Sequence, residues 1–142
     1  GAWDVTCLLV QPTSDIVATD FDGDGKLEIL TFSKFHGDTL AIWHEGQTRD
    51  RYEQVWCDPQ KRSFLHALWA ADLNGEKCAV IGNRKDGRDL LLVRYVDGEY
   101  TVDVIDHDLG PANCMVYRHD GSDYIVAAYR ETDQLALYKV VE

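Results

Sequence analysis

Nine consecutive residues carry most of the chemistry this chain could do: Asp20-Phe21-Asp22-Gly23-Asp24-Gly25-Lys26-Leu27-Glu28. Carboxylates stand at positions one, three and five, a glycine at six and a further acid at nine. Ca²⁺ is a hard cation that takes six to eight oxygen ligands, and a short turn with this spacing supplies most of them. Asp20, Asp22 and Asp24 would ligate directly, Lys26 would offer its backbone carbonyl, and Glu28 would close the shell or hold a water. Gly25 permits the sharp turn, and Gly23 lets the backbone bend between ligands. A merely solvated acidic turn would need no such coincidence of ligand spacing and glycines. Calcium is the cofactor expected.

The flanks of the loop narrow the class. An EF-hand needs a helix on each side and a bidentate Glu at position twelve. Position twelve is Thr31, and both flanks read as strands, Ile16–Thr19 and Leu27–Phe32. The loop therefore joins two strands.

The surroundings of the loop recur. Asp20-Phe21-Asp22-Gly23 aligns with Asp72-Leu73-Asn74-Gly75 and with Arg118-His119-Asp120-Gly121, whose glycines stand 52 and 46 residues apart. An apolar strand follows each turn: Glu28-Ile29-Leu30, Ala79-Val80-Ile81 and Ile125-Val126-Ala127. A polar hairpin with an acid comes next, at Asp38, Asp89 and Asp133, and then a third strand that alternates apolar residues at period two. Outer fourth strands are expected at Tyr52–Cys57 and Tyr100–Ile105, the latter introduced by an Asp97-Gly98 turn. The third copy reaches Glu142 without one, whereas Trp3–Val10 reads as a fourth strand with no copy before it. The strand order is d-abcd-abcd-abc.

This pattern resembles the FG-GAP or VCBS-type repeat, the integrin-alpha-like family of calcium-binding β-propellers. The resemblance covers essentially the whole chain and rests on the first loop and the strand pattern. It implies an all-β fold of four-stranded antiparallel blades, with repeats at about 14–57, 65–107 and 112–142 and residues 1–11 as an outer strand of a neighbouring or closing blade. Propellers have about four to eight blades, so three would leave open edges. Two completions follow: missing blades of the same protein in a ring of about six to eight, which is preferred, or a second copy of the chain in a two-fold ring. The later loops are degraded. Asp72, Asn74 and Glu76 retain a partial second metal set, with Lys77 and Val80 where the glycine and last acid should stand, and no third site is expected.

Composition bounds the rest. The 142 residues form one domain's worth of chain, 45% hydrophobic with three prolines, as for an ordered β-rich protein. A formal charge of −11 disfavours nucleic-acid and anionic-membrane partners. No apolar run reaches the roughly 20 residues that span a bilayer, and no signal peptide is legible at Gly1-Ala2-Trp3-Asp4. Cys7, Cys57, Cys78 and Cys114 lack metal-binding spacing, fall inside expected strands and read as buried free thiols. Free thiols favour a reducing compartment, whereas the resemblance favours an extracellular one, so localisation stays open.

Strand direction sorts loops onto two faces. The a–b turns share one with the c–d connections at 45–50 and 97–99. The opposite face collects His36, His66, Arg84, Arg88, His107 and Arg130 among acids, and the resemblance implies that ligands meet such a face. His66 opens the inner strand Leu65–Trp69, where a bond to a backbone carbonyl competes with a ligand role. Arg84 and Arg130 end successive b strands, where they clamp an anion or pair with Asp86, Asp89, Glu131 or Asp133. The strand aromatics Trp43, Trp56, Trp69, Tyr95 and Tyr138 are expected to pack between blades, leaving Phe35 and Trp3 exposed. No catalytic constellation is legible. The expected role is a calcium-stabilised binding module for a glycan or protein ligand; the alternative is the propeller part of a carbohydrate-active lyase or dehydratase.

Overall fold

The computed structural model describes residues 1–48 and 50–141; Arg49, within the expected 45–50 connection, and Glu142 lie outside the described residues. Among the described residues there are eleven strands and no helix. β1 (Thr13–Thr19), β2 (Glu28–Ser33), β3 (Thr39–Glu45) and β4 (Tyr52–Cys57) form one antiparallel sheet in sequence order. β5 (Leu65–Leu73), β6 (Glu76–Asn83), β7 (Leu90–Val96) and β8 (Glu99–Asp106) form a second. β9 (Pro111–His119), β10 (Ser122–Tyr129) and β11 (Gln134–Lys139) form a third, three-stranded sheet.

Turn chemistry sets these registers. Asn74-Gly75, Asp97-Gly98 and Asp120-Gly121 each close a two-residue hairpin with both residues at positive φ, between 46° and 89°. Such turns carry the twist of paired strands, and Asn, Asp and Gly reach that conformation at least cost.

Burial follows the layering. β10 alternates buried and half-buried residues, as a strand with one covered face should. β6 is buried from Cys78 through Asn83, because the middle sheet is covered on both faces. Leu30, Phe32, Leu40 and Ile42 of the first sheet meet Ala79, Ile81, Leu91 and Val93 of the second. On its other side the second sheet packs Ala67, Val80 and Leu90 against Cys114, Ile125, Ala127 and Tyr129. Burying each large side chain contributes about 1.5–3 kcal/mol. At Gly82 a Cβ would come within 2.8 Å of Pro111, so close approach of the second and third sheets requires a bare backbone there.

The first strands are neighbours: β1 packs near β5, and β5 near β9. The hairpin after each second strand also bonds to the connection that leads into the next sheet. Asp38 and Gly37 carbonyls accept Arg62 and Leu65 N–H groups, and Gly87 and Arg88 carbonyls accept Asp108 and Gly110 N–H groups. The same inter-sheet contact is thus made twice.

Three expectations need correction. Trp3–Val10 forms no strand, and Trp3, Val5 and Val10 are exposed, because the segment joins none of the three sheets. Cys7 and Cys57 are exposed rather than buried, Cys7 lying outside any strand and Cys57 at the end of the outer strand β4. Trp69 is exposed on β5 and Trp43 donates its indole N–H to Thr31 on the outer side of the first sheet, while Trp56, Tyr95 and Tyr138 do pack against the cores.

Candidate metal centre

The β1–β2 connection holds the nine-residue loop. Gly23 and Gly25 adopt φ of 76° and 88° and reverse the chain between successive acids. Each acid engages one carboxylate oxygen with a backbone N–H: Asp20 Oδ2 with Gly25 at 3.0 Å, Asp22 Oδ1 with Asp24 at 3.0 Å, Asp24 Oδ1 with Lys26 at 2.8 Å and Glu28 Oε2 with Phe21 at 2.6 Å. These bonds pin all four side chains toward the inside of the turn. One oxygen from each of Asp20, Asp22, Asp24 and Glu28 lies within 4.8 Å of the others. Asp20 Oδ1 and Glu28 Oε1 are buried with no hydrogen-bond donor among the described residues. Buried carboxylate oxygens without a partner are costly, and a bound cation or water would satisfy them. The donor set, carboxylate oxygens on a short rigid turn, fits a hard divalent ion. Lys26 contributes its N–H to the turn and leaves its side chain exposed.

Sequence reasoning missed one member of this group. His44 Nε2 sits 3.1 Å from Asp24 Oδ2 and 3.5 Å from Glu28 Oε1. The signal was register: Ile29 pairs with Trp43, which brings His44 opposite Glu28 one step further along the ladder. His44 Nδ1 contacts the Glu45 carbonyl at 2.8 Å and must be an N–H there, so Nε2 donates to Asp24 only when the ring is protonated. Burial works against that charge, but the Glu45 carbonyl, Asp24 and Glu28 outweigh it and raise the pKa of His44. Burial also raises that of Glu28, with help from the charge on Asp22 and despite the Phe21 N–H. The Lys26 N–H holds Asp24 below its ordinary value, aided by His44.

The second loop is built differently. With Leu73 paired to Glu76 it shrinks to a two-residue turn, and its polar groups are engaged elsewhere. Lys77 binds Asp72 at 2.8 Å, Arg94 lies 3.4 Å from Glu76, and the Asn74 N–H donates to Asp123 across to the third sheet. Asp72 and Glu76 are thus engaged by the Lys77 and Arg94 side chains.

On the opposite face, His36 and His66 come together with ring centroids 5.0 Å apart, beside a cavity of about 260 Å³ that Phe35 also lines. His66 Nδ1 donates to the Ala112 carbonyl at 2.8 Å, the structural role weighed for it, and ties the second sheet to the third. His36 Nδ1 is buried without a partner. Arg84 pairs with Glu131 at 2.7 Å and lies 5.0 Å from the centroid of the Phe64 ring. Arg88 and His107 both approach Asp108, at 3.5 and 2.8 Å, and Arg130 is exposed. The predicted face therefore divides: His36, His66 and Arg84 cluster, whereas Arg88 of the β6–β7 hairpin and His107 of the next connection meet at Asp108. Compared with known protein-family models and with curated proteins, the chain matches none.

Proposed function

We propose that this chain is a calcium-stabilised binding module made of three adjacent β-propeller blades of the FG-GAP type. The observation that carries the calcium reading is the pair of buried, donorless oxygens on Asp20 and Glu28 within one carboxylate cluster. Asp20, Asp22, Asp24 and Glu28 would hold the ion together with the Lys26 carbonyl, and the ion would fix the β1–β2 turn. Without metal, protonated His44 stands in as the counter-charge. Three meander sheets stacked face to face with their first strands adjacent, and the repeated hairpin-to-connection bonds, support the blade reading.

The third sheet ends at β11 with Leu135 and Leu137 exposed, while the apolar residues Trp3, Val5 and Val10 stay unpaired. Further blades of the same protein or a second copy would cover such surfaces. A chain that sediments as a well-folded monomer would sink the two-copy ring. The bound partner on this reading is a glycan or a protein, since a formal charge of −11 repels nucleic acid.

The calcium reading is tested by thermal unfolding in calcium and in EDTA. A higher midpoint in calcium is expected, because an ion that binds only the folded chain stabilises it by mass action. An unchanged midpoint removes the reading. A second reading, the propeller part of a carbohydrate-active lyase or dehydratase, is favoured by one observation, the partnerless buried nitrogen of His36 beside His66. Turnover of sugar acids that His36→Ala and His66→Ala both abolish would support it; absent turnover removes it.

A further inference from the structure

The core between the first two sheets opens into a cleft of about 620 Å³ beside the acidic loop. Period two explains its lining. Tyr95 continues the inward row of Leu91 and Val93, and His44 continues that of Leu40 and Ile42, so the apolar seam becomes aromatic and polar as it reaches solvent. Tyr95 and Tyr100 are cross-strand partners with centroids 4.8 Å apart and planes at 59°. Trp56 meets Tyr100 at 5.9 Å and 46°, giving three rings tilted into a cup rather than a flat platform. Around them stand Asp22, Asp24, Glu99 and His44, and among the described residues no Lys or Arg side chain lines the cleft. A doubly charged ion in the loop would leave the four carboxylates of Asp20, Asp22, Asp24 and Glu28 in excess, and Glu99 adds another. Burial, reinforced by Glu28, Asp22 and Asp24, holds the Tyr100 phenol neutral well above its ordinary range.

We propose that this cleft binds an organic cation of the alkylammonium class, such as a lysine side chain of a basic partner or a free amine. Ring faces attract a positive group through their quadrupole, and the surrounding carboxylates supply acceptors and long-range attraction. A tilted aromatic cup suits a compact ammonium, whereas a neutral sugar ring calls for a flat face and mixed donors. The cleft shares Asp22 and Asp24 with the calcium loop and rests to that extent on the calcium reading, whereas Glu99 and the three rings lie outside the loop.

The test titrates tetramethylammonium and, in a second arm, N-acetyl-lysine methylamide into the full chain saturated with calcium. Ring-proton resonances of Trp56, Tyr95 and Tyr100 are followed by NMR, with glucose as the neutral control. Saturable shifts at these rings are expected for both cations and not for glucose. Glu99→Lys, at the exposed start of β8, should weaken binding about tenfold by reversing a neighbouring charge. No saturable shift, an equal response to glucose, or unweakened binding by Glu99→Lys overturns the proposal. Calcium stabilisation is read separately by thermal unfolding, so failure of one reading leaves the other measurable.

Discussion

Glu28 Oε2 accepts the Phe21 N–H at 2.6 Å, while Oε1 of the same fully buried carboxylate has no donor. The side chain closes the loop and leaves one oxygen free to take a cation or another donor. Glu28→Gln keeps the closing bond and removes the charge. In EDTA this variant should match or exceed the original chain in stability by about 1 kcal/mol, because a buried charge answered only by His44 at 3.5 Å has gone. In calcium it should be the less stable of the two, with affinity reduced about tenfold or more. Urea melts in both conditions check the reversal; a variant that is equally destabilised with and without calcium contradicts it.

The metal-free protein should lose stability as pH rises through neutrality. His44 and Glu28 both have pKa values raised in the folded state above their ordinary 6.5 and 4.5. A group so raised binds its proton more tightly when folded, so its contribution is complete below the unfolded pKa and fades as pH climbs through the folded one. Calorimetric midpoints in EDTA should therefore fall between about pH 6 and pH 8, chiefly through His44. Saturating calcium should flatten that slope by answering the carboxylate charge directly. A flat or rising midpoint in EDTA contradicts the assignment of His44.

Local signals carried the sequence reading furthest. The turn dipeptides Asn74-Gly75, Asp97-Gly98 and Asp120-Gly121 and the apolar alternation around them placed the strands of the three sheets, because hairpins are short-range structures. The spacing of Asp20, Asp22, Asp24 and Glu28 was legible for the same reason. His44 was not, since it reaches the loop only through the β2–β3 ladder. Trp56 and Tyr95 looked like plain core for a related reason: where a seam between two sheets opens to solvent is set by their packing, not by either strand's pattern. Trp3–Val10 misled because alternation describes a strand's faces without supplying the edge it pairs with.

Arg84 and Glu131 join the second sheet to the third hairpin at 2.7 Å, with the guanidinium largely shielded. Either alanine substitution should cost about 1–3 kcal/mol, since each strands a partly buried charge. A double-mutant cycle should return a coupling of about 1–2 kcal/mol. Additive losses would show that the pair does not couple the sheets. Calcium affinity should stay unchanged in all three variants.

Thiol chemistry should separate the four cysteines. Burial pushes Cys78 and Cys114 up to about 12, whereas Cys7 and Cys57 are exposed. A thiolate-directed reagent at neutral pH should titrate Cys7 and Cys57 quickly in the native chain and all four after unfolding. Rapid native modification of Cys114 would contradict the packing of the third sheet on the second.

Calorimetric titration of Ca²⁺ into the EDTA-treated, desalted chain tests the central claim most directly, with Mg²⁺ and an Asp20→Asn, Asp24→Asn double variant run alongside. One saturable calcium site is expected, with much weaker Mg²⁺ binding, because a flexible all-oxygen turn suits the larger ion. The double variant should bind about a hundredfold more weakly or not at all, having lost two charged ligands. No calcium heat, or equal binding by the double variant, would contradict a metal centre at Asp20–Glu28.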